Sequence, residues 1–536
     1  MKRMIMLTLL ASVVLLACHT QEKEQQQKEE KKISKRDYSI TKNNSYNDLF
    51  LDSGYVVKYI AENKIPDSIS RRIISFYNTR NYEYAWFASD GLSEQAMGFS
   101  SLLNFTGDTS ARQKKLEKKM DDLMSDTDLQ VSENNKSIRN TELLLTESLI
   151  KYSLTNFEKG YVKRKELERF IPFKKKDPIE LADSLLNHKH KDDKYYSDIN
   201  PSYKALSDQL RKYVGIAKSG GWPVIGKINK KEFKKHHSSP EVLSMKKMLM
   251  LTGDIPGKDT TDVFDDTLEN GIKSFQTRFG FSPDGKLTDK ILDQMNVPAI
   301  DRVKQILINM NRVRWLPQQP EGRLIEVNIP AFTLHVYDGK QKLFSMPVVV
   351  GKDGHNTTIF SDLMTTIVFS PYWNVPPSIV KKEIIPGIDS DKNYLEEHQM
   401  EITGTENNLP VVRQKPGPEN SLGKVKFLFP NVFNIYLHDT PAKGLFDKDV
   451  RAYSHGCIRL ADAEKLADYI LKNNPNWTPE KINEAMNSGN QQFVKLKDPV
   501  PVFITYYTAW VDDNGLLNFR DDIYGHDKAV AEKMFL

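Results

Sequence analysis

Cysteine is scarce in this chain: 536 residues contain two, Cys18 and Cys457. The charge is nearly balanced, with a formal net charge of +5, and no basic face is concentrated enough for nucleic acid, so we expect no nucleic-acid partner. The apolar run from Met4 to Ala17 is too short to span a bilayer comfortably. The remaining composition, 39% hydrophobic and 27% charged, is typical of a soluble globular body of about two to four domains.

The amino terminus has the pattern of an export signal, because Lys2 and Arg3 precede that apolar run. The run ends Leu-Leu-Ala-Cys at residues 15–18, which resembles the lipobox of bacterial lipoproteins, where the signal is cut before an acylated cysteine. We therefore expect residues 1–18 to be a lipoprotein signal peptide and lipobox, with a plain cleaved signal peptide as the alternative. A lipid on Cys18 would anchor the chain to a bacterial membrane, facing the periplasm.

Residues 19–37 are almost entirely Gln, Glu and Lys, and they predict a disordered polar tether. If Cys18 is lipidated, a disulfide framework is impossible, and an exported protein keeps Cys457 as an unpaired thiol.

Three folded domains are predicted after the tether. Residues 38–238 have apolar residues at helical spacing and few glycines, which predicts an all-α scaffold. The aromatic-rich stretch 76–87 is interpreted as packing between helices. Residues 239–298 contain Phe275-Gln276 followed by a Gly, an Asp-Gly and a Leu-Thr, and they resemble the small three-helix peptidoglycan-binding domain. The alternative is a helical spacer that has this fold without gripping glycan.

Residues 320–536 change to a period of two, which predicts a mostly β domain. The insertion at about 377–423 is long and charged, and we interpret it as a capping subdomain beside a catalytic strand, with disorder as the alternative. The Asp338-Gly339 pair predicts a hairpin turn. Further strands are expected at Thr366–Phe369, Val425–Phe429, Val432–Leu437 and Pro501–Trp510.

A cysteine beside two histidines is the strongest chemical signal. Residues 435–440 and 454–460 read Ile-Tyr-Leu-His-Asp-Thr and Ser-His-Gly-Cys-Ile-Arg-Leu. A neutral thiol is a poor nucleophile and needs a base within hydrogen-bond reach. His438 supplies that base if strand and loop fold back on each other. Gly456 leaves the sulfur open to a carbonyl, and nearby backbone N–H groups are candidates for an oxyanion hole.

The surroundings of Cys457 favour the thiolate, because Arg459 and a helix start, with Asp462 as N-cap, follow closely. Three alternatives remain open from the residues alone. Cys457 could be an inert buried thiol. His438, His455 and Cys457 could bind zinc, although no fourth ligand or metal-type spacing is evident. Arg459 could be a structural ion-pair partner instead of a substrate contact.

The assembled pattern resembles the catalytic signature of the YkuD-type L,D-transpeptidases, in particular the large YcbB-like branch with scaffold, peptidoglycan-binding and capped catalytic domains. The resemblance extends through Val-Val-Gly-Lys at 349–352, Phe-Ser-Pro-Tyr-Trp-Asn-Val-Pro at 369–376 and Leu-Phe-Asp-Lys at 445–448. Residues 354–358, Gly-His-Asn-Thr-Thr, depart from it where related sequences tend to show a Thr-Pro pair.

The resemblance implies a role for each matching position. Cys457 corresponds to the acylated nucleophile, His438 to the proton donor and acceptor, and the backbone carbonyl of Asp439 to the group that orients the imidazole. The implied oxyanion hole is formed by His455, Gly456 and Cys457. The implied substrate-binding residues are Tyr436, Ser454, Arg459 and Trp373.

The implied reaction is formation of 3–3 cross-links in peptidoglycan. Cys457 attacks the carbonyl between meso-diaminopimelate and the terminal D-Ala of a tetrapeptide stem, and an amine on a second stem resolves the thioester. Thiol and imidazole suffice, so no metal or organic cofactor is expected. The expected partners are stem peptides, the membrane through the lipid anchor, and cell-wall synthases. The alternatives are an L,D-carboxypeptidase, in which water resolves the thioester, and a catalytically silent wall-binding lipoprotein.

Overall fold

The protein is described by a computed structural model over residues 33–105, 110–126, 129, 131–157, 171–186, 201–228, 233–259, 261–317 and 319–536. Cys18, the predicted signal segment and most of the predicted tether lie outside these residues. Within them, no helix combines the length and apolarity needed to cross a bilayer. The chain divides into two compact units.

The first unit comprises residues up to Ser100, residues 108–198 and residues 530–536. Its described part is helical, as predicted, with one short hairpin of β1 (Phe87–Ala88) and β2 (Gly91–Leu92). The helices of the amino-terminal half are α1 (Ser53–Glu62), α2 (Asp67–Thr79), α3 (Glu94–Asn104), α4 (Ala111–Ser125), α5 (Lys136–Phe157) and α6 (Pro178–Leu186).

A buried carboxylate organises the core of this unit. Glu142 on α5 accepts hydrogen bonds from the backbone N–H groups of Ala85 (2.7 Å) and Trp86 (3.0 Å) and from the hydroxyl of Tyr77 (2.9 Å). The Trp86 indole donates to Thr146 one turn along the same helix at 2.9 Å. The aromatic stretch therefore packs against α5 with its backbone amides satisfied, which confirms its interpretation as packing core.

The second unit begins, in its described part, with residues 101–105 and 201–228 and continues to Ala529. Helix α7 (Pro201–Lys218) packs along α11 (Ala299–Val313). Between them lie α8 (Pro240–Thr252), α9 (Asp266–Arg278) and α10 (Asp289–Met295). These three helices begin at side-chain N-caps, Ser239, Asp265 and Thr288, each of which accepts a bond from a backbone N–H in the first turn.

The Phe-Gln and Asp-Gly motif residues build this small bundle. Phe275 is fully buried. The Gln276 amide donates to Asp284 Oδ1 and to the Lys286 carbonyl, both at 2.9 Å, and accepts from Gly285 N–H at 2.8 Å. The motif thus clamps the turn that precedes α10, as the spacer alternative requires. Glycan binding by this bundle stays a prediction.

The carboxyl-terminal half is a closed β structure. Within residues 319–536, nine strands form one sheet in the order β12-β5-β13-β11-β10-β6-β14-β3-β4, and β4 also pairs with β5, which closes the sheet on itself. The strands of this sheet are β3 (Arg323–Asn328), β4 (Thr333–Asp338), β5 (Gln341–Gly351), β6 (Phe360–Phe369), β10 (Val425–Leu428), β11 (Leu437–His438), β12 (Ala452–Ser454), β13 (Ile458–Leu460) and β14 (Gln492–Thr505).

One face of the sheet forms the core with helices α15 (Ala463–Leu471) and α16 (Pro479–Asn487). Leu437 and Ile458, paired on neighbouring strands, are fully buried there. Because successive side chains on a strand point to opposite faces, His438 and Arg459 lie on the other face. A hairpin of β15 (Ala509–Val511) and β16 (Leu517–Phe519) and the last helix, α17 (His526–Met534), follow.

The predicted insertion is an ordered subdomain with its own small core. It contains α12 (Pro377–Ile379), a π-helix (Val380–Ile384), α13 (Ile385–Ser390) and α14 (Tyr394–Glu397). Strands β8 (Met400–Glu406) and β9 (Leu409–Gln414) pair with β7 (Trp373–Asn374). Its buried residues are Val375, Ile379, Val380, Ile384 and Val412. The disorder alternative is therefore wrong.

The fold class predicted from the sequence is confirmed, with a helical amino-terminal part, a small three-helix bundle and a mostly β carboxyl-terminal part. Strands are found at Thr366–Phe369 and over most of Val425–Phe429, and the strand predicted at Pro501–Trp510 is interrupted between Thr505 and Ala509. The strand expected over Val432–Leu437 is wrong. That segment is a loop up to Tyr436, because the Asn431 side chain accepts from the N–H groups of Phe433 and Ile435 and replaces a strand partner. Asn434 accordingly has a φ of 54°.

Replacing Glu142 by glutamine should destabilise the protein by about 2 kcal/mol. The amide nitrogen of the glutamine would face a backbone N–H group that a carboxylate oxygen accepts in the wild-type protein. Urea unfolding followed by far-UV circular dichroism measures the change. Glu180→Gln, at an exposed position on α6, is the matched control and should change stability by less than about 0.5 kcal/mol. Equal midpoints for both variants would contradict the role given to Glu142.

Candidate active site

One row of side chains crosses the sheet on the face opposite the core. Lys426 on β10 is the register partner of His438 on β11, and His438 is the register partner of Arg459 on β13. Val368 on β6 and Val349 on β5 continue the row at either end, and both are fully buried. His438 therefore lies between two cationic residues, and a buried valine lies beyond each of them.

Strand pairing brings the nucleophile candidate to the same face. The Ile458 N–H donates to the Tyr436 carbonyl at 3.1 Å, which places Cys457 beside Tyr436. Cys457 precedes core-facing Ile458, so its side chain points to the face that His438 occupies. The thiol lies 3.6 Å from the carbonyl oxygen of Asn434, to which it can donate. The sequence-distant sulfur and imidazole thus share one side of two adjacent strands.

The imidazole of His438 is fixed by a backbone carbonyl. Its Nδ1 lies 2.5 Å from the carbonyl oxygen of Asp439. A carbonyl oxygen can only accept, so Nδ1 carries the proton and Nε2 keeps a free lone pair. The ring is buried, with 4% of its surface exposed. The placement of Asp439 agrees with the orienting role that the resemblance implies.

The Asp439 side chain does not contact the imidazole through its carboxylate, which has two other partners; the backbone carbonyl of Asp439 makes that contact. One carboxylate oxygen binds Lys443 Nζ at 2.7 Å, and the other accepts from the Lys424 N–H at 2.9 Å. Gly423 is required beside it: its φ is 61°, and a Cβ there would lie 2.4 Å from Asp439 Oδ2. The turn at 423–424 and Lys443 together hold the residue that orients His438.

Burial decides the protonation states of both groups. Burial, supported by the charge of Arg459, lowers the pKa of His438 to about 3, although the Asp439 carbonyl acts in the opposite direction. Burial also raises the pKa of the Cys457 thiol, against hydrogen bonds from the backbone and side chain of Tyr436 and the charges of Arg459 and Lys426. The expectation that the surroundings favour the thiolate is wrong in its net direction. At rest both groups are therefore neutral, a thiol and an imidazole on the same face of two adjacent strands.

The loop that carries the nucleophile changes the expected set of oxyanion donors. The Gly456 N–H donates to the Ser454 hydroxyl at 3.1 Å, and that hydroxyl donates to the Cys457 carbonyl at 2.5 Å. The Gly456 N–H is therefore occupied, and the buried Ser454 shapes the loop instead of facing a ligand. Among the described residues, the backbone N–H groups of His455 and Cys457 have no hydrogen-bond partner. Gly456 contributes its φ of 112°, which a side chain would strain.

Sequence reasoning missed Thr357, which orients the peptide bond before Cys457. Its hydroxyl donates to the Gly456 carbonyl at 2.7 Å and accepts from the Gly351 N–H at 2.9 Å. In a trans peptide bond the Cys457 N–H points away from that carbonyl. The bond to Thr357 therefore sets the direction in which the Cys457 N–H points. The signal available in the sequence is the departure from the family pattern at residues 354–358.

The capping subdomain reaches the nucleophile loop through an ionisable pair. Glu383, on the π-helix, lies 3.3 Å from Nε2 of His455. The His455 ring also meets His355 edge to face at 4.9 Å between centroids. Burial lowers the pKa of His455, and Glu383 acts against that effect. The π-helix is a rare element often found at functional sites, and here it carries the side chain that touches the loop.

The other predicted site residues are placed as follows. Tyr436 is half-buried, and its hydroxyl faces the sulfur. Trp373 packs against the apolar cluster of the cap. Arg459 makes no ion pair with any described residue, and its Nε is buried without a hydrogen-bond partner. This disfavours the structural ion-pair alternative. Within the described chain, no three His, Cys, Asp or Glu side chains are grouped as metal ligands.

Lys426 is a second residue that sequence reasoning missed. It stands between Val425 and Phe427, both fully buried, so the alternation of the strand alone puts its ammonium on the face of His438. Burial lowers the pKa of Lys426. A lysine on a strand adjacent to the histidine strand was the signal available in the sequence.

Comparison with known families matches three parts of the chain. Residues 322–502 match the YkuD family model, described as an L,D-transpeptidase catalytic domain. Residues 71–210 match a model described as a scaffold domain. Residues 238–295 match a model described as "Putative peptidoglycan binding domain".

A curated protein of Haemophilus influenzae, named "Putative L,D-transpeptidase", is 31% identical over 243 residues, 42% of this chain and 49% of that protein. The match thus spans about half the length of that relative. Solved structures give weaker likeness. An L,D-transpeptidase from Mycobacterium smegmatis matches at 14% identity and a TM-score of 0.20, over 34% of this chain and 58% of that one. One from Stackebrandtia nassauensis matches at 13% and 0.23, over 52% and 97%.

The similarity of this chain to L,D-transpeptidases is given by the family models and the curated relative, and not by these structures of low TM-score. The catalytic-domain match contains the row of Lys426, His438 and Arg459 together with Cys457. The chain thus contains a segment, residues 322–502, that matches the YkuD L,D-transpeptidase catalytic domain, and on its amino-terminal side segments that match a scaffold domain and a putative peptidoglycan-binding domain.

Proposed function

We propose that this protein forms 3–3 cross-links in peptidoglycan through a thioester on Cys457. The observation that carries the proposal is the orientation of His438: its Nδ1 is bound by the Asp439 carbonyl, so Nε2 presents a lone pair on the face to which Cys457 points. A buried neutral imidazole beside a neutral thiol can accept a proton only as the thiol attacks, and can return it to a leaving nitrogen.

The acylation step uses the carbonyl between meso-diaminopimelate and the terminal D-Ala of a tetrapeptide stem. The Cys457 sulfur bonds to that carbon while the thiol proton passes to His438 Nε2. The oxyanion receives hydrogen bonds from the Cys457 and His455 N–H groups. The carbon–nitrogen bond then breaks, the proton moves from Nε2 to the nitrogen, and D-Ala leaves with a free amine.

The second step reverses these roles. The side-chain amine of a second stem attacks the thioester carbon and transfers a proton to Nε2. The carbon–sulfur bond breaks, and the proton returns to the Cys457 sulfur. The product joins two diaminopimelate residues, and the enzyme is regenerated without a redox partner or an external acid.

The cap supports amine over water as the acceptor. The contact between Glu383 and His455 holds the π-helix of the cap against the nucleophile loop, and a covered thioester meets less water. An L,D-carboxypeptidase uses the same nucleophile and base and remains the second candidate, with water as acceptor. The His455 side chain remains 31% exposed beside this contact, which leaves room for an acceptor to approach.

We further propose that the protein acts at the periplasmic side of a bacterial membrane, anchored by a lipid on Cys18. The Lys-Arg pair, the short apolar run and the Leu-Leu-Ala-Cys end support this location. A polar tether of residues 19–37 would let the domains reach the wall, and a peptidoglycan-binding domain next to the catalytic domain supports the wall as substrate.

Incubation with purified disaccharide-tetrapeptide, followed by mass spectrometry, tests the reaction. Cross-linked dimer that has lost one D-Ala is the expected product, tripeptide alone would indicate the carboxypeptidase, and unchanged substrate would contradict both. Cys457→Ala should form neither product nor adduct, because the sulfur is the nucleophile. His438→Ala should slow acylation by about 10²- to 10⁴-fold, whereas His236→Ala, at an exposed position, should behave as wild type.

Alkylation of the half-buried Cys457 by iodoacetamide should depend on pH as a neutral thiol of raised pKa does. Because the thiol pKa is raised above its ordinary value of 9.0, the thiolate fraction and the rate should keep rising as pH increases through that value. The His438 pKa of about 3 means that the ring is already neutral from about pH 5 to 8, so no inflection is expected there. Peptide mapping separates Cys457 from Cys18. A rate plateau near neutral pH would instead indicate a thiolate–imidazolium pair.

Thr357→Val should lower the acylation rate by about ten- to a hundredfold, because the Cys457 N–H loses its fixed direction and a small misplacement of a catalytic donor is costly. Intact-protein mass spectrometry measures the rate of adduct formation with tetrapeptide. Thr357→Ser keeps the hydroxyl and should retain most of the rate, and thermal unfolding checks both variants. A wild-type rate for a folded valine variant would show that Thr357 does not set the oxyanion donors.

A further inference from the structure

We propose that Lys426 and Arg459, which lie on either side of His438, form a pair that binds the terminal carboxylate of the donor stem. This inference rests on the proposed function, since it names the part of the donor that the site recognises. It assigns a substrate-binding role to Lys426 and gives Arg459 a specific ligand.

The register places both cations beside the imidazole. Lys426 pairs with His438 in the antiparallel ladder, and Arg459 pairs with it in the parallel ladder. The three side chains lie on one face, and the two cation-bearing strands are about 10 Å apart with the histidine strand between them. Long lysine and arginine side chains can converge over a ring at that separation.

Neither cation has a carboxylate partner within the described chain. Lys426 Nζ makes one long bond, 3.4 Å, to the backbone carbonyl of Tyr372, and the Arg459 Nε is buried without an acceptor. Three poorly exposed cations of the described chain are paired with carboxylates: Lys246 with Asp259 and Asp265, Arg278 with Asp254, and Arg312 with Asp527. A fourth, Arg302, is instead held by the side chains of Gln294 and Gln305. Buried charges are normally paired because desolvation is costly. Two unpaired cations beside one catalytic ring therefore indicate that a ligand supplies the anion.

The electrostatics agree with this placement. The charges of Lys426 and Arg459 both act on the Cys457 sulfur and both disfavour protonation of His438. The aromatic ring of Tyr436 lies 5.7 Å from Lys426 Nζ and 5.7 Å from the His438 ring. The cations, the histidine and the sulfur thus belong to one pocket.

The chemistry of the donor identifies the anion. His438 must protonate the leaving nitrogen, so that nitrogen lies at Nε2 when the bond breaks. In a terminal D-Ala the carboxylate carbon is two bonds from this nitrogen, which places the anion over the imidazole edge and between the two cations. A carboxylate matches the guanidinium fork and the ammonium point charge.

The same pair serves the second step. The acceptor amine takes the position that the leaving nitrogen vacates, and the carbon that bears this amine in diaminopimelate also bears a carboxylate. The incoming group therefore presents its anion where the departing D-Ala presented its own. An acceptor amine without a neighbouring carboxylate loses this contact.

Acylation of the full chain by disaccharide-tetrapeptide and by its terminal carboxamide tests the proposal. Wild type should form the thioester about ten- to a hundredfold faster with the acid than with the amide. Lys426→Gln should slow the acid by a similar factor and leave the amide nearly unchanged, so that the acid-to-amide ratio falls. Lys426→Arg should recover most of the preference. Lys495→Gln, an exposed lysine on β14 with the same charge change, should keep the wild-type ratio.

A structural role for Lys426 would slow both substrates equally, and an unchanged ratio in a folded Lys426→Gln protein would overturn the proposal. Binding of both stems to the Cys457→Ala protein, measured by calorimetry, separates recognition from chemistry. If the Cys457→Ala protein prefers the acid and the Cys457→Ala/Lys426→Gln protein does not, the carboxylate pair is supported. This holds even if wild type forms no thioester, a result that would contradict the proposed reaction alone. Equal affinity for acid and amide would overturn the pair whatever the acylation assay gives.

Discussion

The parallel pairing of two very short strands, Leu437–His438 and Ile458–Leu460, is the contact on which the site depends. It buries Leu437 and Ile458 in the core of the barrel and, by the alternation of side chains, leaves His438 and Arg459 on the other face. A slip of one residue would send the imidazole into the core and a leucine into the pocket. The hydrophobic pattern of these strands therefore fixes the geometry of the candidate site.

Hydrogen bonds around the two paired strands fix the orientation of the His438 ring and of the loop that contains Cys457. The Asp439 carbonyl fixes the histidine tautomer, and the carboxylate of the same residue is held by Lys443 and the Lys424 amide. Around the other strand, the hydroxyl of Thr357 donates to the Gly456 carbonyl and that of Ser454 to the Cys457 carbonyl. Burial then keeps thiol and imidazole neutral, while two unpaired cations provide an attractive field for anions. In the proposed reaction, the reacting groups are therefore neutral at rest, and the nearby positive charge is available to an anionic substrate.

Much of this arrangement could be predicted from the sequence. The histidine, the cysteine and the role of the Asp439 carbonyl stand in a motif, and the change of period near residue 320 marks the β domain. The protonation state of Cys457 could not be predicted from the sequence. The nearby Arg459 favours the thiolate, but burial, which depends on the tertiary structure, has the larger effect and raises the pKa of the thiol. Gly456 was expected to donate to an oxyanion, but the loop folds its N–H onto Ser454. Thr357 lies about a hundred residues before Cys457 and reaches it only through loop packing, and Lys426 lies outside the motif and reaches His438 through the sheet register.

The neutral, singly oriented imidazole is the central physical claim, and nitrogen NMR of the His438 ring tests it most directly. At neutral pH, the ¹⁵N shifts of the wild-type protein should show a protonated Nδ1 and an unprotonated Nε2, with no titration until strongly acidic pH. Shifts showing both nitrogens protonated at neutral pH, together with a thiolate at Cys457, would contradict the account.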